Sequence, residues 1–158
     1  MRLSAHGIGV ELPPGWEGRV FRRPEGDPTL HAANFPLPAR DGDFGTTATK
    51  DMPRGGVFVV LTEYRPGQGL EPGQGLFAPD AIPLPLELWQ FRRRALLLAR
   101  PDQAGFQHFF SADARPFCLY AVLRHTQGSR LRAAAAAQRP VGALNRALAS
   151  VAIAPHAT

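Results

Sequence analysis

Cysteine is almost absent: Cys118 is the only one in 158 residues. A lone cysteine excludes an internal disulfide and any zinc site built on paired cysteines. Lysine is just as scarce, since Lys50 is the only one among 18 basic side chains and the rest are arginine. With 13 acidic side chains the net charge is +5. The arginine bias, together with an alanine-rich tail, fits the coding preference of a GC-rich genome. Chains that bind nucleic acid cluster their charge on one face or helix. Here the arginines are scattered, except at Arg22-Arg23 and Arg92-Arg93-Arg94. Nucleic acid is therefore not the expected partner.

Long apolar runs are missing too. No window approaches the ~18 apolar residues of a membrane span, and the opening MRLSAHGIGVEL has no apolar signal core. The expectation is a cytoplasmic protein with no membrane span.

Catalytic and metal motifs are lacking as well. His6, His31, His108, His125 and His156 show neither HxH nor HExxH spacing. Glu11, Glu17, Glu63 and Asp113 fall in no paired-carboxylate motif. The glycine-rich run 67–75 lacks the Lys-Ser/Thr step of a phosphate loop. No cofactor, metal or catalytic residue is expected, and nothing here names an activity.

What is present is a core. Apolar residues make up 44% of the chain, with ten phenylalanines and two tryptophans, and a chain of this length fits a single domain of residues 1–158. The organising stretch is Phe106 to His125. Two apolar runs flank the polar turn Ala112-Asp113-Ala114-Arg115, and Pro116 opens the second run. Phe117 to Leu123 is unbroken by any polar residue, which predicts a strand covered on both faces. Val57 to Tyr64 is a second strand of this central type, with Glu63 expected to emerge into water at its end.

The N-terminal third reads as a three-stranded meander. Ile8, Val10 and Leu12 alternate with Gly9 and Glu11, Pro13-Pro14-Gly15 turns the chain, and strands follow at Gly18 to Arg23 and Thr29 to Phe35. Asp43 is the expected N-cap of a short helix through Met52, with Phe44, Ala48 and Met52 on one stripe. Residues 65–85 carry five prolines and four glycines and repeat Pro-Gly-Gln-Gly-Leu. Such a stretch sustains neither helix nor ladder, and Leu70, Leu76, Phe77 and Ile82 would pin it to the domain. Ala95 to Ala99 is a strand candidate. Ser129 to Ser150 is helical in composition, with a kink or fresh start expected at Pro140, and Val141, Leu144, Leu148 and Val151 form its packing face. Val151 to Ala154 would leave as a short edge strand.

Two segments, Gly9-Val10-Glu11-Leu12-Pro13-Pro14-Gly15-Trp16 and Leu148-Ala149-Ser150-Val151-Ala152-Ile153, bracket nearly the whole chain. With the order of elements between them, they resemble the PsbP-like superfamily, which includes photosystem extrinsic subunits, Ran-binding import factors and LpqN-type lipoproteins. The resemblance implies an α+β fold, an antiparallel sheet flanked by helices as an α/β/α sandwich, and a non-enzymatic binding role. The chain lacks the lipobox cysteine of the lipoproteins and the transit segment of the plant proteins, so neither localisation nor partner carries over.

Three candidate sites follow. Cys118 could act as a thiolate only with a histidine in reach; a hairpin register placing it opposite His108 would allow this, whereas a register placing it opposite Phe109 would not. The plainer expectation is a buried, inert thiol. The second candidate is a partner-binding surface combining Trp89, Phe91, Arg92, Arg93 and Arg94 with Leu70, Leu76 and Phe77 of the Pro/Gly loop, because arginine and tryptophan are enriched at binding hot spots. Its plainer reading is core aromatics with a solvated arginine rim. The third is a pocket between sheet and helix near His108 or His125, suited to a small molecule or a cryptic reaction. The leading expectation is a non-enzymatic module for an unknown protein partner.

Overall fold

In a computed structural model, which describes residues 1–24, 26–67, 71–78 and 81–157, the chain is α+β with two antiparallel sheets. In chain order the strands are β1 (Arg2–Ala5), β2 (Ile8–Glu11), β3 (Glu17–Arg22), β4 (Pro28–Ala33), β5 (Val57–Glu63), β6 (Gln103–Ala112), β7 (Arg115–Arg124) and β8 (Ala152–Ile153). The helices are α1 (Thr46–Lys50) and α2 (Arg130–Ala149). The large sheet has the order β3-β4-β5-β7-β6, and the small one β1-β2-β8.

The organising hairpin forms as its sequence predicts. β6 and β7 pair along their whole length, from Ala112 opposite Arg115 to Gln103 opposite Arg124. The two-residue loop puts Asp113 and Ala114 at φ 49° and 60°, the left-handed turn whose twist matches the strands it joins. β7 lies between β5 and β6, and Phe117 to Leu123 are all buried. Alternation along β7 then divides the core. Phe117, Leu119, Ala121 and Leu123 face α2, while Tyr120 and Val122 face Phe58, Ala48 and Met52 on the α1 side. Fully burying side chains of this size stabilises the fold by about 1.5–3 kcal/mol each.

The N-terminal meander is not formed. Ile8, Val10 and Leu12 are buried in alternation as expected, but β2 pairs with β1 and β8 in the small sheet. Only β3 and β4 join the large one. Alternation reports a half-buried strand and says nothing of its partner. The closing edge strand expected after α2 is β8, and it completes that small sheet.

The expected sandwich is matched only in part. α2 covers one face of the large sheet, whereas α1 is little more than one turn. Its cap is also not Asp43. Asp41 accepts from the backbone N–H groups of Thr47 and Ala48 at 2.8 Å, while Asp43 pairs with Arg23 at 3.1 Å. Ala48 and Met52 are buried and Phe44 packs beside them, so the stripe survives with a shorter helix.

α2 runs unbroken through Pro140. Pro140 removes one helical hydrogen bond, but Val141, Leu144 and Leu148 seal the following turns into the core. Ser129 caps the start, its hydroxyl accepting from the Arg132 N–H at 3.3 Å. Ala95 to Ala99 is not a strand. A 3₁₀ turn occupies Arg93–Ala95, because the outer edge of β6 is engaged just before it: Arg92 exchanges two backbone hydrogen bonds with Gly105, at 2.7 and 3.0 Å. Ser111 N–H donates to the Ala78 carbonyl further along, so flanking loops cover both ends of this edge.

Glu63 does not emerge into water. It is 1% exposed and bound to Arg115, itself 1% exposed. Arg115 Nη2 lies 2.7 Å from Glu63 Oε2, and Nε donates to both carboxylate oxygens at 3.1 and 3.2 Å. The remaining guanidinium donors reach the carbonyls of Ala154 at 2.8 Å and His6 at 3.0 Å. One arginine thus fastens the β1–β2 hairpin and the segment after β8 to the large sheet. His156 closes the cluster, with Nε2 2.6 Å from Glu63 Oε1. Gly7, at φ 76°, leaves room for this: a Cβ there would strike Arg115 Nη1.

Candidate functional site

The hairpin register settles the thiol question. Cys118 lies opposite Phe109, and His108 lies opposite Leu119, so thiol and imidazole stand on opposite faces of the sheet. Cys118 is buried at 2% exposure, and burial pushes its thiol up to about 12. A thiol so far above neutrality supplies no thiolate. His108 stacks between Phe106 and Phe110, with ring centroids 6.4 and 5.8 Å away. Among the described residues no cluster of three or more histidine, cysteine or carboxylate groups could hold a metal ion.

The expected partner surface divides. Phe77 is 1% exposed, packed against Tyr64 and Phe109 at 5.6 and 5.7 Å. It pins the loop to the domain as expected and presents almost no surface. Leu76 beside it is exposed. Leu70 lies outside the described residues. This loop crosses β6 at Ser111, whereas Arg92 crosses it at Gly105. Six residues of strand separate the crossings by roughly 20 Å, so Leu76 does not adjoin the arginine segment.

Phe91 is likewise core, 7% exposed and 6.2 Å from the Phe106 ring. Trp89 is the opposite, at 69% exposure. A 3₁₀ turn over Leu88–Gln90 causes the split: it breaks the alternation that would have put residues 89 and 91 on one face. Arg92, Arg93 and Arg94 are exposed, and none forms an ion pair with a described residue.

Trp89 stands on a ridge between two depressions. On the β6 side it borders a shallow basin of about 520 Å³ with Arg92, Arg94 and Gln107. On the α2 side it borders an open groove of about 990 Å³ whose apolar wall includes Leu88, Leu131 and Ala134. Two side-chain hydrogen bonds tie the segment leading to Trp89 onto α2. Asn145 on α2 accepts from the Leu86 N–H at 2.7 Å and donates to its carbonyl at 3.0 Å, a pairing that mimics a strand ladder. His125 also lines the groove, with its backbone N–H on the Asp102 carbonyl at 2.7 Å.

Sequence reasoning missed Leu131, which is 83% exposed. Its signal was present: it lies six residues before buried Ala137, about 120° around the helix and off the packing stripe. Asn145 offered no such signal, because an amide on a helix is ordinary until its partner is known.

No helix among the described residues is long and apolar enough to cross a membrane. Compared with known proteins, the chain matches no family model, no curated protein and no solved structure.

Proposed function

We propose that this chain is a non-enzymatic protein-binding module whose contact face is centred on Trp89. The observation that carries the reading is the placement of a tryptophan, 69% exposed, on a ridge shared by an apolar groove and an arginine-bearing basin. Exposing a large aromatic costs hydrophobic free energy that burial elsewhere would recover, and tryptophan and arginine are the residues that dominate binding hot spots. Leu131, exposed on the facing wall, extends the same apolar surface.

Affinity capture from the native host tests this, comparing the wild type with Trp89→Ala/Leu131→Ser and with the Arg92/Arg93/Arg94 triple alanine variant. A protein retained by the wild type and lost by the first variant is expected. An unchanged capture profile would remove this face.

A second reading, small-molecule binding in the same groove, is favoured by one observation: the imidazole-bearing His125 lines its wall. The groove's breadth and openness suit a peptide better than an enclosed ligand. A metabolite library that stabilises the wild type and not His125→Ala would promote this reading above the first. Kinship with the PsbP-like superfamily and a cytoplasmic location belong to the proposal as well. Intermediate sequences that fail to bridge to that superfamily, or fractionation to another compartment, would remove them.

A further inference from the structure

Charge around Trp89 is distributed unevenly. Arg92 and Arg94 line the basin on the β6 side, and no described carboxylate joins them there. The groove on the α2 side carries Glu87 and Asp102 together with Arg130, and Asp102 is also paired with Arg54 at 3.5 Å. A neighbouring depression continues along α2 past Ala137 to Val141, so arginines without a facing carboxylate lie on one side of the tryptophan and most of the apolar surface on the other.

We propose that the occupant of this face is an acidic peptide segment of a partner protein, with an apolar anchor against Trp89 and Leu131 and carboxylates over Arg92 and Arg94. The proposal rests on the docking reading above and adds the partner's chemistry. A guanidinium fork matches a carboxylate bidentately. The polarity of docking follows from the charges. Acidic residues lie on the β6 side, because Arg92 and Arg94 stand there without a carboxylate, whereas Glu87 and Asp102 offset Arg130 in the groove. A second copy of this chain is a poor occupant, since symmetric docking would oppose two like-charged arginine patches. A polyphosphate backbone suits the basin but finds no continuous cationic track beyond it, because Glu87 and Asp102 accompany Arg130 in the groove.

The test selects a random short-peptide display library on the full chain, then measures affinity by anisotropy of labelled peptides. Enriched peptides are expected to pair aspartate or glutamate with leucine, isoleucine or phenylalanine. Trp89→Ala should weaken them about tenfold or more. Arg92→Gln/Arg94→Gln should weaken them about tenfold at low salt, with the difference shrinking as salt rises. All three substituted side chains are exposed, and unchanged melting temperatures confirm that the variants fold. Peptides that depend on Trp89 but ignore the arginine substitutions would overturn the acidic assignment and leave the docking reading standing. A library yielding nothing that depends on Trp89 would sink both. Tighter, arginine-dependent binding of a labelled oligouridylate would replace the peptide by nucleic acid. A Trp89-dependent dimer in ultracentrifugation would replace it by a second copy.

Discussion

Arg115 Nη2 and Glu63 Oε2 meet 2.7 Å apart with both side chains 1% exposed, in the same cluster that holds the carbonyls of His6 and Ala154. A buried pair of this kind contributes little net stability compared with apolar replacements, but losing one partner strands the other charge. Arg115→Met alone, or Glu63→Leu alone, should therefore cost about 3–5 kcal/mol in urea unfolding. The double substitution should cost less than the sum of the two. Additive costs would show that the pair is not coupled.

His31 makes stability depend on pH. It is 1% exposed, set edge-on between Phe21 and Phe58, and its Nε2–H donates to the Asp43 carbonyl at 2.9 Å. Burial lowers its pKa from the ordinary 6.5. Below 6.5 the unfolded chain takes up a proton that the folded chain refuses, so stability from this site is complete above that pH and lost as pH falls. Urea midpoints at a pH of about 7.5 and about 5 should differ more in the wild type than in His31→Phe. Equal differences would show that His31 is not the group responsible.

Ala114 sits at φ 60° in the loop between β6 and β7. A left-handed residue with a Cβ is disfavoured by roughly 1–2 kcal/mol, and glycine is not. Asp-Gly is also a preferred pair for this turn. Ala114→Gly should raise stability by about 0.5–1 kcal/mol, net of glycine's greater entropy in the unfolded chain. A lower melting temperature for this variant would contradict the turn assignment.

Cys118 should be silent to thiol reagents in the folded protein, because its thiol is buried and pushed up to about 12. Reaction with an aromatic disulfide reagent should track unfolding across a urea series. Full labelling without denaturant would place the thiol at the surface.

The parts of the fold legible in the sequence were those decided by local pattern. Phe117 to Leu123 could only be a strand covered on both faces, and Val141, Leu144 and Leu148 could only face a core. Long-range choices were not legible. Nothing in Ile8-Gly9-Val10 distinguishes pairing with β3 from pairing with β8. Likewise, Glu63 at a strand end looks solvated until Arg115, fifty-two residues later, is placed beside it. The site followed the same rule. The Trp89 to Arg94 segment stands out by residue type, but the 3₁₀ turn that exposes Trp89 and buries Phe91 depends on how β6 and Asn145 hold that segment. Phe77 carries two expectations for a related reason, since a phenylalanine in a Pro/Gly loop serves equally as anchor or as contact until the face beneath it is known; the structure shows the anchor.

The docking claim is tested most directly by photo-cross-linking in the native host, with benzoylphenylalanine placed at Leu131 or Trp89 and, as control, at exposed Lys50 on α1 across the sheet. The account predicts one discrete adduct with another protein from positions 131 and 89 and none from position 50. The same adducts from all three positions, or none from 131 and 89 in cells that yield one from position 50, would contradict it.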